Sequence, residues 1–146
     1  MIFSDDSDLM RVQPYVFEQG VASFEELHEV AGDEVVRDVR RYWGAIVGAR
    51  GAIWWNTNFN PDMLNPVQWN SAALYRVLGW HVLPMLHSSV TLDGTSLAVE
   101  GMGLNELRVF YRAAYDEEFA AVLGAGLEYD LGSGFVVVNR RSVAEL

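Results

Sequence analysis

The chain of 146 residues has the length of one domain, and its 20 acidic residues against 10 arginines and no lysine give a formal net charge of −10. So acidic a surface repels phosphates, which excludes a general nucleic-acid binder, while a hydrophobic content of 51% excludes disorder. The absence of cysteine excludes disulfides, thiolate catalysis and cysteine-based zinc sites.

The amino-terminal residues carry no export or membrane signal. Residues 1–10 lack the basic and apolar regions of a signal peptide, and no run reaches the roughly 18 apolar residues of a membrane span. We therefore expect a soluble, unexported protein with no membrane partner.

The first 47 residues predict two helical segments. Pro14 can open a short helical piece that Gly20 ends. Ser23 and Glu26 match a capping box, and apolar residues then recur every three or four positions, so a long amphipathic helix is expected from Ser23. Gly32 weakens this helix by about 1 kcal/mol relative to alanine and could split it in two.

A loop and a second helix follow. Residues 48–62 combine turn formers with aromatic residues and predict a loop. Asn65 is placed to cap a helix with Pro66 at its first position. This helix is apolar around most of its circumference, which predicts the centre of the core, and Pro84 is expected to bend or end it near His87.

A hairpin and a third helix are predicted next. Residues 88–100 surround an Asp-Gly pair typical of a β-hairpin turn. Asn105 is expected to cap the third helix, and Gly124 and Gly126 to stop it. Its predicted inward residues include Phe110, and its predicted exposed side carries Asp116, Glu117 and Glu118.

The tail predicts two short strands around a glycine-rich turn, at residues 127–130 and 135–138. An isolated two-stranded ribbon is marginal in water, so we expect the tail to dock on another surface. The predicted fold is mainly α, a small helical bundle of about three main helices with a minor β-hairpin and an extended C-terminal arm. Residues 1–133 form the helical domain with an acidic N-terminal arm, and residues 134–146 form the docking arm.

The three histidines permit a complete search for imidazole chemistry. Glu25 and His28 have the Glu-x-x-His spacing of di-iron bundles, but no second motif exists, so a solvated helix face is expected. His81 and His87 fall on different sides of a helix and are poor co-ligands. The glycine pairs lack the third glycine of a phosphate loop. We predict no catalytic residue, no cofactor and no metal site.

Charge is distributed unevenly along the chain. Residues 1–34 carry nine acidic residues and one arginine, whereas residues 35–50 have a net charge of +3. An acidic arm near a basic helix segment favours head-to-tail contact between copies, and it predicts Arg37, Arg40 and Arg41 at an interface. The alternative is that these charges only keep the chain soluble.

Three runs of the sequence resemble a known family. They are DMLNPVQWNSAALYRVLGWHVLP at residues 62–84, FYRAAYDEEF at 110–119 and GLEYD at 126–130. The pattern resembles the small head-to-tail connector, or adaptor, proteins of tailed bacteriophages.

The resemblance implies a non-enzymatic homo-oligomer, a ring expected to be dodecameric, located at the head-tail junction of the virion after assembly in the host cytoplasm. Its implied partners are the portal protein, the next neck or tail-completion protein, and genomic DNA that passes through the channel without specific binding. In such adaptors the C-terminal segment reaches the portal or a neighbouring subunit. The corresponding interface residues here are Phe135, Val136, Val137, Val138, Arg140 and Arg141.

Net acidity agrees with that implied role. A carboxylate-lined channel repels the duplex and keeps it from sticking, because neutralised phosphates drive non-specific binding. Asp116, Glu117 and Glu118 are the candidate lining residues.

Two other classes of function stay open. A small enzyme or ligand-binding bundle would use His81 with Trp80 and Tyr75, and it predicts a deep closed pocket around His81. An acidic inhibitor or DNA mimic would occupy basic clefts, although the large apolar content of the chain argues against it.

Overall fold

The computed structural model describes residues 1–47, 59–90 and 103–138. Most of these residues are helical, and a small antiparallel ribbon completes the fold, which confirms the mainly α prediction. The elements are α1 (Asp6–Val12), α2 (Glu25–Val47), α3 (Pro66–Val77), α4 (Leu83–Val90), α5 (Leu104–Ala125), β1 (Leu127–Asp130) and β2 (Phe135–Val138), with 3-10 turns at Pro14–Glu18 and Pro61–Met63.

The acidic start of the chain is folded against the body. Asp5 caps α1 by accepting from the Asp8 amide at 2.9 Å, and the Asp8 carboxylate accepts from the Asp5 amide at 3.1 Å. Pro14 opens the following 3-10 turn, and Gly20 has a φ of +88°, as the sequence predicts. Within the predicted acidic N-terminal arm, this segment makes a capped helix with a buried Leu9.

Helix α2 is unbroken across Gly32, so the predicted split does not occur. The predicted capping box is also replaced. The Ser23 hydroxyl accepts from the Glu25 amide at 3.3 Å, and the Phe24 amide donates to the carboxylate of Asp6 at 3.2 Å. The carboxylate of Asp6, which is distant in the sequence, therefore accepts a hydrogen bond from a backbone amide at the start of this helix.

Helices α3 and α4 form one rod joined by a π-helical turn, Leu78–Val82. Asn65 caps α3 through the Val67 amide at 3.1 Å, and Pro66 takes the first position, as predicted. Of the two outcomes expected at Pro84, a bend or an end, the end is wrong, because the helix continues past this residue. In the π turn immediately before Pro84, the Leu83 amide donates to the Leu78 carbonyl. This wider turn accommodates the proline, which has no amide hydrogen to donate, and α4 continues to Val90.

The first three residues of the hairpin predicted at residues 88–100 are helical. Ser88 to Val90 are the last residues of α4. Residues 91–100 lie outside the described part of the chain.

Helix α5 starts two residues earlier than expected. Gly103 occupies the capping position and Asn105 is already helical, because the Leu107 amide donates to the Gly103 carbonyl at 2.9 Å. Gly126, with a φ of +106°, ends the helix, whereas Gly124 lies within it.

The core lies around α3, which packs against both α2 and α5. Trp69 on α3 is fully buried, and the inward face of α5 carries Tyr111 and Tyr115, whereas Phe110 is 50% exposed and was wrongly predicted to point inward. At Gly79 a Cβ would lie 3.1 Å from Cγ of Arg112, so the absence of a side chain there permits close packing of the two helices.

The ribbon at the end of the chain folds back onto this core. Leu127 pairs with Val138 and Tyr129 pairs with Val136. The predicted strands are therefore confirmed, and three of their residues, Leu127, Tyr129 and Val138, are at most 3% exposed and belong to the core.

Candidate functional site

Strand β2 presents an apolar surface and an open edge. Among the described residues it pairs only with β1, whose other edge contacts Leu64 through a bridge to Tyr129. Phe135, Val136 and Val137 are 50%, 38% and 46% exposed. An exposed apolar strand with unpaired backbone groups is a template for pairing with another chain.

The other predicted residues of this surface behave differently. Val138 is 3% exposed and packs in the core, so its assignment to an interface is corrected. Arg140 and Arg141 lie outside the described residues. The described part of the candidate surface therefore consists of the first three residues of β2.

The basic stripe of α2, which we define as Arg37, Arg40 and Arg41, is exposed. Arg37 lies 3.9 Å and Arg41 4.0 Å from the Asp38 carboxylate, and Arg40 lies over the Phe59 ring at 5.4 Å. Exposed ion pairs at such distances contribute little to stability, so these guanidinium groups can be paired with another chain at small cost.

The acidic patch of α2, which we define as Glu25, Glu26 and Glu29, lies at the opposite end of the same helix and is exposed. The distance from Glu25 to Arg41 along the helix is about 24 Å at 1.5 Å per residue. The two patches therefore give the N-terminal and C-terminal halves of α2 opposite charge.

His28 does not lie on a solvated face, which corrects that prediction. Its side chain is fully buried, with Nδ1 2.8 Å from the Ser4 hydroxyl and Nε2 3.1 Å from Asp6. An ionised carboxylate only accepts, so Nε2 donates to Asp6, while Nδ1 is hydrogen-bonded to the Ser4 hydroxyl. Ser4 is 3% exposed, so this serine, histidine and aspartate join the N-terminal segment to α2 and leave no access for a substrate.

His81 belongs to a second polar cluster, between α2 and the rod of α3 and α4. Glu34 accepts from Arg76 at 2.7 Å and is hydrogen-bonded to Nε2 of His81. The Arg76 guanidinium lies 4.0 Å from the centre of the Trp80 ring. Burial of the Glu34 carboxyl opposes its ionisation, but the hydrogen bonds from Arg76 and His81 outweigh burial and lower its pKa below the ordinary 4.5.

Tyr115 forms the adjacent contact between α5 and α2. Its hydroxyl donates to the Asp38 carboxylate at 2.5 Å. Burial and then this hydrogen bond raise the pKa of Tyr115 far above its ordinary value of 10.0, so the phenol stays a neutral donor. The cluster therefore joins α2 to α5 and to the rod of α3 and α4.

The described part of the chain includes two surface grooves whose lining can be named. A groove of about 650 Å³ runs between α2 and α5, and its lining includes Tyr42, Asp116 and Leu123. A groove of about 500 Å³ lies beside Met1 and Arg37. His81 lines neither of them, so the pocket that the enzyme alternative requires has no counterpart in these two grooves.

The three candidate channel residues do not share one environment. Asp116 and Glu117 are exposed, whereas Glu118 is partly buried. Asp116 faces the groove between α2 and α5. All three carboxylates are at least partly exposed, and Asp116 and Glu117 are the most open to solvent.

Within the described ranges, no cluster of three or more histidine, aspartate or glutamate side chains could hold a metal ion. None of the helices in those ranges is both long enough and apolar enough to cross a bilayer. The chain matches no protein-family model, no curated protein and no solved structure.

Sequence reasoning missed both polar clusters. Asp6 and His28 are 22 residues apart, and Glu34 and His81 are 47 apart, so no local spacing connects them. The available signal was a charged residue on an otherwise apolar helix: Arg76 interrupts the buried face of α3 and requires a counterion.

Proposed function

We propose that this protein is a non-enzymatic structural subunit that assembles with copies of itself into a ring, as the head-to-tail connectors of tailed bacteriophages do. The ring would be dodecameric, would bind the portal protein, and would give the next neck or tail-completion protein a platform. Genomic DNA would pass through its channel without specific binding. The resemblance of residues 62–84, 110–119 and 126–130 to that family supports the proposal.

The observation that carries the proposal is the exposed apolar strand β2. Its first three side chains are at least 38% exposed, although the same strand contributes Val138 to the core. Exposed apolar strands with a free edge favour aggregation unless a partner covers them. A neighbouring subunit or the portal would extend the sheet at this edge and bury Phe135, Val136 and Val137.

The two ends of α2 give a second reason to expect contacts between copies. The basic stripe of one subunit complements the acidic patch of the next, and such a contact repeats around a closed ring. Charge complementarity fixes orientation and register more than it adds affinity. The apolar strand would supply the buried area, and α2 would set the angle between subunits.

The excess of carboxylates supports passage of DNA without binding. Asp116 and Glu117 are exposed on α5, and repulsion of the duplex acts within about 8 Å at physiological salt, which is one Debye length. A ring with these groups toward its centre would keep DNA away from the wall.

The enzyme alternative finds less support. It depends on His81, whose Nε2 is engaged by Glu34, and on a pocket that neither groove provides. We therefore keep the structural role as the single proposed function.

The proposal is tested by the mass and shape of the assembled particle. Light scattering over a concentration series and negative-stain imaging, with the chain alone and with its cognate portal protein, are expected to show a closed ring with a central opening. A chain that stays monomeric under all these conditions would contradict the proposal. Turnover of a small molecule by the monomer would contradict it independently.

Charge reversal of the basic stripe tests the arrangement of subunits. Replacement of Arg37, Arg40 and Arg41 by glutamate is expected to shift the particle toward monomers with the helical content unchanged. Arg11→Glu is the control, since Arg11 is also exposed and lies outside the stripe. Normal rings from the triple variant would show that these arginines only face water.

A further inference from the structure

The groove between α2 and α5 combines an apolar wall with carboxylates. Tyr42 is 49% exposed and its ring lies 5.4 Å from that of Phe119, and Leu123 extends this wall toward the end of α5. Asp38 and Asp116 line the same groove, together with Arg41 beside Asp38. A surface of this composition suits a segment that carries both apolar side chains and cations.

The charges in the groove are incompletely neutralised. One oxygen of Asp38 accepts from Tyr115, and the other lies 3.9 and 4.0 Å from Arg37 and Arg41. Asp116 has no cation within ion-pair distance among the described residues, and Glu117 follows it on the exposed side of α5. The rim beside Asp116 is therefore acidic.

Strand β2 ends beside the C-terminal end of α5, the helix that forms one wall of this groove. Val138 packs in the same core cluster as Phe119 and Val122, and it pairs with Leu127, directly after the end of α5. The turn back over the helix end is close, because a Cβ at Gly126 would lie 2.3 Å from a methyl carbon of Val137. The last described residue, Val138, therefore lies beside the last turn of α5.

Residues 139–146, which we name the tail segment, have the matching length and composition. Their sequence is NRRSVAEL, two arginines followed by three apolar residues and one glutamate. Eight extended residues span about 26 Å at 3.3 Å each. Asp116 lies ten residues before Gly126, about 15 Å along the helix. The tail segment is long enough to reach it.

We propose that the groove between α2 and α5 is the docking site of the tail segment of the same chain, with Arg140 or Arg141 paired with Asp116. Val143 and Leu146 would cover the apolar wall at Tyr42 and Phe119.

This inference goes beyond the proposed function, since a monomer could dock its own tail. In a ring-forming subunit, docking would hold Arg140 and Arg141 on their own body. Contact of the tail with the portal or a neighbour would then require its release from the groove.

Cross-linking tests the proposal directly, because the chain contains no cysteine. The double variant Ala120→Cys with Ser142→Cys places one thiol on the exposed groove wall and one in the tail segment. With a short bis-maleimide it is expected to give an intramolecular cross-link in severalfold higher yield than Ala22→Cys with Ser142→Cys. Ala22 is equally small and exposed, and it lies before the start of α2, about 20 Å along that helix from Asp38.

Charge reversal gives the matched comparison within the first double variant. Asp116→Lys is expected to lower the cross-link yield severalfold, whereas Glu117→Lys, the same charge change one residue away and outside the groove, leaves it nearly unchanged. Far-UV circular dichroism confirms that each variant is folded.

Three outcomes would overturn the proposal. The first is an equal cross-link yield for the two double variants, and the second is an equal effect of the two charge reversals. The third is a cross-link between chains, formed in a mixture of the single-cysteine variants with the same yield as in the double variant. The cross-link is measured by the mass of a single chain. A monomeric protein can therefore give the expected cross-link, and a ring-forming protein can lack it. Failure of the docking proposal is thus distinguishable from failure of the proposed ring.

Discussion

The carbonyl oxygen of Met1 occupies the space that a side chain at Gly32 would need: a Cβ built there would lie 1.8 Å from that oxygen. The amino terminus also bonds one residue further along α2, where its ammonium group donates to Asp33 at 2.7 Å. The N-terminal segment therefore lies directly on the backbone of α2. Gly32, which helix propensity treats as a defect, is what allows this contact.

Gly32→Ala is expected to destabilise the protein by about 1–3 kcal/mol, because overpacking against backbone cannot be relieved by a side-chain rotation. Helix propensity alone predicts the opposite sign, a gain of about 1 kcal/mol. Urea unfolding followed by circular dichroism decides between them. Gly124→Ala on α5 is the control, since nothing lies within 4 Å of its Cβ position, and it is expected to be neutral or stabilising.

Glu34→Gln is expected to cost about 2–3 kcal/mol, because it leaves the guanidinium of Arg76, which is 9% exposed, without its counterion. Glu29→Gln on the exposed side of α2 is the matched control and should change the free energy of unfolding by less than about 0.5 kcal/mol. Equal losses in the two variants would show that the Glu34 contacts contribute nothing specific.

The same carboxyl makes stability depend on pH. The folded state lowers the pKa of Glu34 below 4.5, so the unfolded chain binds more protons in this acidic range. The contribution of Glu34 is complete above that ordinary value and is lost as the pH falls through the lower folded one. The difference in unfolding free energy between the unmodified protein and Glu34→Gln is therefore expected to shrink between about pH 5 and pH 3. A constant difference would contradict the assignment.

Asp6→Ala is expected to destabilise the start of α2 by about 1–2 kcal/mol, the cost of losing a helix cap. The Asp6 carboxylate accepts from the Phe24 amide and the Ser23 hydroxyl and holds the buried His28 ring. Hydrogen exchange should accelerate in the first turn of α2 and much less in α5. Ser7→Ala, an exposed neighbour on α1, is the control.

Val137→Lys tests the β2 surface without removing it. Val137 is 46% exposed and Val138 is buried, so deletion of residues 134–146 would also damage the core, whereas this substitution should leave the fold stable and reduce assembly. Sedimentation or mass photometry measures the fraction of rings. Val109→Lys, at an exposed valine on the N-terminal half of α5, is expected to assemble normally. Normal rings from Val137→Lys would exclude β2 from the interface.

Several elements follow from short-range patterns in the sequence. Asn65 with Pro66 fixes the start of α3, Pro14 opens a 3-10 turn, and the residues after Gly126 form two strands, as predicted. In each case the groups that decide the conformation lie within a few residues of one another. Capping, the fixed φ of proline and β-propensity therefore act before any tertiary contact forms.

Other features were decided only when distant segments met. The π turn before Pro84 let the helix continue, and Asp6 replaced the expected Ser23 cap. The candidate surface follows the same division: the sequence predicted an apolar strand at residues 135–138, but only packing could bury Val138 and leave the three residues before it exposed. The sequence by itself determined which segments are helix or strand, because those preferences are local. The tertiary structure decided which charges are buried, which glycine is a contact and which face of each element meets solvent, because those outcomes depend on neighbours far away along the chain.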